Sequence, residues 1–364
     1  MSLEGELIVR VLHDARRVVR TEIRSTRPFV AARLLEGQSP AYALATVPRL
    51  FSVCGVAQGA AAARALAEAG AAADHDDDGS GVMLEAVREY FRRLLIDAPG
   101  AMDEAADAAT VAAVGRQRGR AHDAADALAA IAAERVYGMP AADWLALPGP
   151  AAFDAWLARG ETLPARLVGR LLREAPGLGR SDVPLMPATT RAALERAIVP
   201  ALGDPDAFAQ APTWDGVPAE TGPLARMRAQ RIVAALRARD GNSVATRMVA
   251  RLAELAMLLE ALRGNEAEFE SAWVDGVAPA PNEGLAAVQT ARGLLLHRAR
   301  VVGDRVVDYR IVAPTEWNFH PDGALARGLA GIAADDAVAL ERRARLVVHA
   351  LDPCVACRIE VGHA

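Results

Sequence analysis

Runs of β-branched residues near the start of the chain predict a β hairpin ahead of a long helical region. Segments 7–9 and 18–23 are rich in valine and isoleucine and are separated by a polar stretch, the pattern of two paired strands. An alanine-rich run follows from about residue 57, and apolar residues recur every three to four positions along 83–94, as on the buried face of a helix. The helical pattern continues from about residue 100 to 275, broken by Pro-Gly segments such as 147–150. Its clearest helix has an apolar stripe of Met248, Leu252, Leu255, Leu259 and Leu262.

A second hairpin is predicted towards the other end of the chain. The runs 292–302 and 305–312 flank Gly303 and Asp304, a dipeptide typical of tight turns. No repeat of roughly 20 to 50 residues and no linker divides the chain, so we predict one domain over residues 1–364. Its predicted parts are an N-terminal hairpin region at 1–35, a helical core at 50–275, the second hairpin at 290–320, and a C-terminal helix with a cysteine tail at 335–364. The predicted fold class is mainly α with small β elements, α+β.

Composition excludes several classes of function. Apolar residues make up 52% of the chain and charged residues 24%, and 41 Lys and Arg against 46 Asp and Glu leave a net charge of −5. This balance is not that of a strongly basic polyanion binder, so we expect no nucleic-acid partner. No run of about 18 apolar residues could span a bilayer, and no secretion signal is recognisable. We therefore expect a cytoplasmic protein without a membrane span.

The three cysteines are the candidate chemistry. Cys354 and Cys357 form a CxxC pair, and Cys54 stands alone. Two thiolates at i and i+3 can face one soft metal ion, although two ordinary buried thiols explain a bare CxxC equally well; a thioredoxin-like pair would need a βαβ setting. Cys54 precedes a predicted helix whose first amides would stabilise a thiolate. The joint hypothesis is a three-thiolate pocket built from both ends of the chain.

Seven short motifs resemble, in order, segments of a known family. They are residues 3–7 (LEGEL), 54–56 (CGV), 216–226 (ending GPLAR), 247–254 (RMVARLAE), 291–297 (ARGLLLH), 309–319 (YRIVAPTEWNF) and 352–357 (DPCVAC). They are similar to IEGHL, CGxC, GPLAR, GRxxARxxE, PRGxxxH, YxIVxPSTWN and DPCxxC of the nickel–iron hydrogenase large subunits. The resemblance implies a large-subunit-like fold, with a helical core and hairpins near both termini that bring the cysteines together.

Departures from the family concentrate at its metal site. The family holds its metals with two CxxC pairs, and the resemblance implies that Cys54, Cys354 and Cys357 match three of those four positions. The fourth position, which bridges nickel and iron, is Ala57, and alanine cannot coordinate a metal. Other family positions are occupied by Ser52, Ala61 and Glu360 in place of an arginine and two histidines. A site that lacks one bridging thiolate is expected to hold nickel poorly.

The retained residues favour the iron half of the family's site. Arg292, Pro314 and Thr315 match positions that contact the cyanide ligands of the iron, and a guanidinium and a hydroxyl can donate hydrogen bonds to cyanide nitrogen. This pattern is similar to the HupK/HoxV type of hydrogenase accessory protein. That resemblance implies a scaffold or carrier that holds the Fe(CN)2CO unit transiently through the three cysteines. It also implies two partners, a small hydrogenase maturation chaperone and the hydrogenase large subunit precursor.

Two other functions stay open at this point. A catalytically inert large-subunit-like protein could dock maturation chaperones without binding iron. An active hydrogenase large subunit would explain why Glu4 matches the family's proton-relaying glutamate. Ala57 argues against hydrogen turnover, because removing a metal ligand is rarely silent. We therefore predict a maturation scaffold and not an enzyme.

One acidic segment fits a different motif. Residues 74–85, from Asp74 to Glu85, match the D-x-D-x-D-G-x5-E pattern of the EF-hand calcium loop. The eighth position is Gly81, where a branched apolar residue is usual, and no second loop is present to pair with it. Calcium binding is thus a secondary hypothesis beside a plain acidic, solvated loop.

Overall fold

A computed structural model describes residues 5–14, 16–26, 33–51, 53–71, 79–117, 119, 121–264, 273–333 and 336–364. The strands are β1 (Glu6–His13), β2 (Val18–Ser25), β3 (Val274–Ala280), β4 (Glu283–Thr290), β5 (Gly293–Val302), β6 (Arg305–Val312) and β7 (Ala356–His363). The first helices are α1 (Pro40–Leu50), α2 (Gly55–Glu68), α3 (Ser80–Arg92), α4 (Ala98–Ala101), α5 (Ala108–Arg116), α6 (Ala121–Ala132), α7 (Ala141–Leu145), α8 (Pro150–Arg159) and α9 (Leu163–Glu174). The remaining helices are α10 (Arg191–Ala197), α11 (Pro205–Gln210), α12 (Pro223–Arg226), α13 (Arg231–Asp240), α14 (Val244–Gly264), α15 (Pro314–Asn318), α16 (Ala324–Leu329) and α17 (Ala337–Leu351). This helical protein with small sheets confirms the predicted α+β class.

The first sheet joins the two ends of the chain. Strand β1 pairs antiparallel with β2, which confirms the N-terminal hairpin, and β7 pairs with β1 in parallel. The predicted cysteine tail continues as a strand: residues up to His363 lie in β7, with His363 opposite His13. The alternation of Ile359 and Val361 with charged neighbours fits a strand with one face on the core. The parallel pairing satisfies the backbone groups that a frayed tail would leave to water.

The second sheet is larger than the predicted hairpin. Strands β5 and β6 form that hairpin as expected, but β3 and β4 extend it to a four-stranded antiparallel sheet. Strand β4 was missed because nearly all of it is buried, so its sequence lacks the alternation of a half-exposed strand. Helix α2 lies directly on it: a Cβ added at Gly284 would come within 1.9 Å of the carbonyl oxygen of Ala65. The small residues of both elements permit this close approach.

The central helix α14 runs through the core. The predicted apolar stripe is confirmed, since Met248, Leu252, Leu255, Leu259 and Leu262 are all buried. The opposite face of the helix is buried as well, and α6, α7 and α3 pack around it. Among the described residues, no helix combines the length and apolar character needed to cross a membrane.

Candidate functional site

Cys54 is the residue immediately before helix α2. The amides of Val56 and Ala57, in the first turn of that helix, donate hydrogen bonds to the carboxylate of Glu85 at 2.9 and 3.1 Å. The prediction that helix amides stabilise a Cys54 thiolate is therefore wrong, because Glu85 occupies them. Burial, assisted by the neighbouring Cys354 and Glu85, raises the pKa of Cys54 to about 12. The thiol is thus protonated at neutral pH.

Cys354 is held by the first turn of helix α15. The hydroxyl oxygen of Thr315 lies 2.9 Å from Sγ of Cys354 and accepts a hydrogen bond from its backbone N–H at 3.0 Å. Pro314 is the first residue of the same helix, a position where its missing N–H costs nothing. Two residues predicted from the resemblance therefore belong to the element that holds this cysteine.

Cys357 is positioned by the N-terminal strand. It lies in β7 opposite Leu7 of β1, and Glu6 precedes Leu7 along the same edge. Burial, followed by the charge of Glu6, raises the pKa of Cys357 to about 12. The two ends of the chain thus meet at one of the predicted cysteines.

Arg292 lies in the turn between β4 and β5 and is buried. Its Nη2 donates to Oε2 of Glu89 at 2.7 Å, and its Nε lies 3.2 Å from Oδ1 of Asp352. Burial alone would lower the pKa of Arg292, but the carboxylates of Asp352 and Glu89 raise it, so the guanidinium stays charged. That charge also interacts with Cys354 and Cys54, which places a fixed cation at these two thiols.

Asp352 is the acidic centre of a buried charge cluster behind the cysteines. Its side chain is only 2% exposed, and its Oδ1 lies 2.6 Å from Nη2 of Arg93. Arg292 contacts the same oxygen, and Nη2 of Arg251 lies 3.8 Å from Oδ2. Burial alone would raise the pKa of Asp352, but these guanidiniums hold it below the usual value. The carboxylate is therefore ionised and ties the CxxC turn to three other parts of the chain.

Both cysteines of the CxxC pair open onto a cleft of about 640 Å³. We call it the cysteine cleft. It is lined by Val53, Arg92, Arg93, Glu341, Arg345, Val348, His349, Pro353, Cys354, Val355, Ala356, Cys357, Arg358 and Ile359. Four arginines against one glutamate give its wall a positive character. Solvent and ligands can reach the CxxC pair through this opening.

The structure brings some of the predicted site residues together and leaves Cys357 apart from the others. Cys54, Cys354 and Arg292 interact with one another, whereas Cys357 interacts with Glu6. In the part of the chain that the structure describes, no three Cys, His, Asp or Glu side chains converge in a group that could hold a metal ion. The assignment of the three cysteines as iron ligands therefore stays a prediction.

Several other predicted positions lie outside the described residues. These are Glu4, Ser52 and the acidic positions 74–78 of the calcium motif. The last residue of that motif, Glu85, is described, and its carboxylate is bonded to the first amides of α2. Calcium binding stays a prediction.

A buried hydrogen-bond chain that the sequence did not reveal runs from Cys54 into the core. Gln58 Nε2 donates to Sγ of Cys54 at 3.6 Å, and Gln58 Oε1 lies 2.9 Å from Nε2 of His297. Nδ1 of His297 in turn lies 2.7 Å from the hydroxyl of Tyr309. Burial lowers the pKa of His297 to about 3, so the neutral ring can donate from one nitrogen and accept at the other. The only sequence signal is that Gln58 lies one helical turn after Cys54.

Fold and site together define the class of protein. The family of nickel-dependent hydrogenases matches residues 203–360. The structure is similar to the nickel–iron–selenium hydrogenase of Desulfovibrio vulgaris Hildenborough, with a TM-score of 0.60 and 17% sequence identity over 94% of each chain. It is also similar to the enzyme of Desulfomicrobium baculatum, with a TM-score of 0.58 and 16% identity over 94% of this chain and 95% of that one. The chain has the fold of a nickel–iron hydrogenase large subunit, as the resemblance implied.

Sequence relatives narrow the class. The chain is 33% identical to the hydrogenase expression/formation protein HoxV of Cupriavidus necator H16, over 94% of this chain and 93% of the relative. It is 32% identical to HupK of Rhizobium leguminosarum bv. viciae, a protein with the same description, over 94% and 92% of the two chains. The chain belongs to the HupK/HoxV family of hydrogenase expression/formation proteins.

Proposed function

We propose that this protein acts in hydrogenase maturation as a carrier of the Fe(CN)2CO unit before its insertion into the large subunit. Cys354 and Cys357 are the proposed thiolate ligands, with Cys54 as a further ligand. The observation that carries the proposal is the contact of Cys354 with Thr315, beside the charged guanidinium of Arg292. A soft thiolate and two polar donors are thereby combined at one position.

The chemistry of the cargo suits this donor set. Thiolates are soft ligands and suit low-spin iron that carries cyanide and carbon monoxide. Because the unit brings three diatomic ligands of its own, the protein has to supply few donors. Arg292 and Thr315 can donate hydrogen bonds to cyanide nitrogens, and Pro314 offers an apolar surface beside them. Ala57 withholds one bridging thiolate, which favours release of the unit over permanent retention.

Two partners follow from this role. A small hydrogenase maturation chaperone would deliver the iron unit, and the large subunit precursor would receive it. The relatives described as hydrogenase expression/formation proteins support a place in this machinery. On this proposal the protein is a scaffold and does not turn over hydrogen.

The proposal is tested by analysing protein purified anaerobically from a host that makes the maturation machinery. We expect iron together with infrared bands of bound cyanide and carbon monoxide. The double variant Cys354→Ser/Cys357→Ser should lose both signals, while Val355→Ala, which changes the residue between them, should keep both. Wild-type protein that lacks iron and all such bands would refute the carrier role.

The alternative of an inert docking protein is favoured by a specific observation. Among the described residues, no three potential ligands form a ready metal site. If docking alone is the function, a strain in which Cys354→Ser/Cys357→Ser replaces the wild-type gene should mature its hydrogenase normally. Loss of hydrogenase activity in that strain, with the variant present at wild-type abundance, would exclude the docking alternative.

A further inference from the structure

The cysteine cleft has two walls and a floor. Helix α17 contributes one wall with Glu341, Arg345, Val348 and His349, and the end of α3 with the following residue contributes Arg92 and Arg93. The floor is the chain from residue 353 to 359, which carries the CxxC pair and the beginning of β7. The CxxC pair and the beginning of β7 therefore line the same cleft.

The cleft is positively lined in a protein that is negative overall. Arg92, Arg345 and Arg358 are each about half exposed, with side-chain exposures of 44%, 50% and 53%. Arg92 has no carboxylate nearer than 3.9 Å among the described residues. Arg345 pairs with Glu341 at 2.7 Å, one turn away on the same helix. Exposed pairs of this kind contribute little and are readily exchanged, so these guanidiniums can bind the carboxylates of a ligand.

Arg358 is also paired, but on the strand side of the cleft. Its Nε lies 3.5 Å from Glu6, and Nη1 contacts Glu360. All three of these side chains are partly exposed. An incoming carboxylate would therefore compete with two acidic neighbours here, which makes Arg345 and Arg92 the stronger anchors.

Strand β7 has a free edge. The order of the first sheet is β2–β1–β7, so β7 pairs only with β1 among the described strands. Residues Ala356–Ile359 of β7 form part of the floor of the cleft. A strand edge offers alternate N–H and C=O groups to an added strand, whereas a small anion has no use for the C=O groups, which only accept hydrogen bonds. The free edge of β7 and the positive charge of the cleft together favour an extended, acidic peptide as the ligand.

We propose that the cysteine cleft receives an extended, acidic segment of a partner protein, which adds as a strand to the free edge of β7 and is anchored by Arg345 and Arg92. This inference rests on the proposed function in one respect, since it supplies the route by which a partner reaches the CxxC pair. The recognition itself needs no metal. It can therefore be measured on the apo protein.

The test uses a fluorescein-labelled octapeptide of alternating valine and glutamate and follows its anisotropy. We expect saturable binding to wild-type protein and an affinity at least about fivefold lower for Arg92→Gln/Arg345→Gln. Arg342→Gln is the matched control: Arg342 is on the same helix, is 62% exposed and pairs with Asp103 at 3.2 Å, but does not line the cleft. Its affinity should equal that of wild type.

Strand addition is tested by methylating alternate backbone nitrogens of the same peptide. We expect the methylated peptide to bind at least about fivefold more weakly, and the unmodified peptide to slow hydrogen exchange in residues 356–363. Equal binding of both peptides, together with full competition by inorganic phosphate, would overturn the proposal in favour of a simple anion site. Absence of binding up to about 1 mM peptide would also overturn it.

Failure of this inference can be distinguished from failure of the carrier role. The variant Cys354→Ser/Cys357→Ser should still bind the peptide, because the anchors are arginines and backbone. Arg92→Gln/Arg345→Gln should still retain iron when purified with the maturation machinery. Loss of peptide binding in the cysteine variant, with its fold intact, would contradict the proposed anchors.

Discussion

Replacing Asp352 by asparagine is expected to destabilise the protein more than any surface substitution. The change removes one negative charge from the buried cluster and leaves three guanidiniums, those of Arg93, Arg251 and Arg292, around a neutral amide. Removing one partner of a buried ion pair typically costs about 3–5 kcal/mol, because the remaining charge is desolvated without compensation. Asparagine keeps the size of the side chain and tolerates the left-handed backbone at this residue, where φ is +56°.

The contacts that survive set the size of the effect. Arg292 keeps Glu89 at 2.7 Å, and Arg93 keeps Asp97 at 3.1 Å. Only Arg251 loses its single carboxylate among the described residues. The cost should therefore fall at the lower end of the range, about 3 kcal/mol in the free energy of unfolding at pH 7. Urea unfolding followed by circular dichroism measures it.

Asp103→Asn is the matched control. Asp103 also has a positive φ, +58°, and also pairs with an arginine, Arg342 at 3.2 Å, but its side chain is 61% exposed. Its loss should change the free energy of unfolding by less than about 0.5 kcal/mol. If Asp352→Asn costs less than about 1 kcal/mol at an unchanged m-value, the buried cluster does not anchor the CxxC turn as argued.

Three further substitutions test single contacts. Thr315→Val should lower the free energy of unfolding by about 1–3 kcal/mol, because the Cys354 amide loses its acceptor; a urea midpoint equal to that of wild type would contradict this. Glu85→Gln should cost about 1 kcal/mol at the start of α2, with Glu341→Gln as an exposed control in the same assay. His297 has a folded pKa of about 3, below its unfolded value of about 6.5. Through His297, the free energy of unfolding of wild type should therefore be about 1.4 kcal/mol lower at pH 5.5 than at a pH well above 6.5, and His297→Gln should not show this decrease. Parallel pH profiles of stability for the two proteins would contradict a buried, neutral His297.

Local sequence patterns predict the elements but not their partners. The hairpin β1–β2, the hairpin β5–β6 and the stripe on α14 follow from the spacing of apolar residues, and all are present. Strand β7 was missed because its pairing depends on β1, about 350 residues earlier in the chain. Strand β4 was missed because a strand that is buried on both faces has no alternation of apolar and polar residues, so its sequence cannot be distinguished from any short apolar run.

The electrostatics of the candidate site were even less visible in the sequence. The position of Cys54 before a helix predicts a stabilised thiolate, yet Glu85, 28 residues from Ala57, takes the helix amides. The charge cluster of Asp352 depends on arginines that lie far apart in the chain. Through the family resemblance, the sequence pointed to Thr315 and to Cys354 separately, and only the structure shows that the two are in contact. Contacts between distant segments could not be predicted in this way, because the periodic pattern of apolar residues describes only the local helix or strand.

The parallel pairing of β1 with β7 has a consequence for synthesis on the ribosome. Strand β1 is made first, but its partner, which carries Cys357, emerges only after some 340 further residues have been translated. Until then β1 has only β2 beside it, and a lone hairpin is marginally stable. A nascent chain arrested before residue 350 would therefore contain Cys54 without the CxxC pair. Contacts of such high sequence separation form late. If the proposed carrier role holds, an unfinished chain would therefore lack two of its three proposed ligands and could not compete for the iron unit.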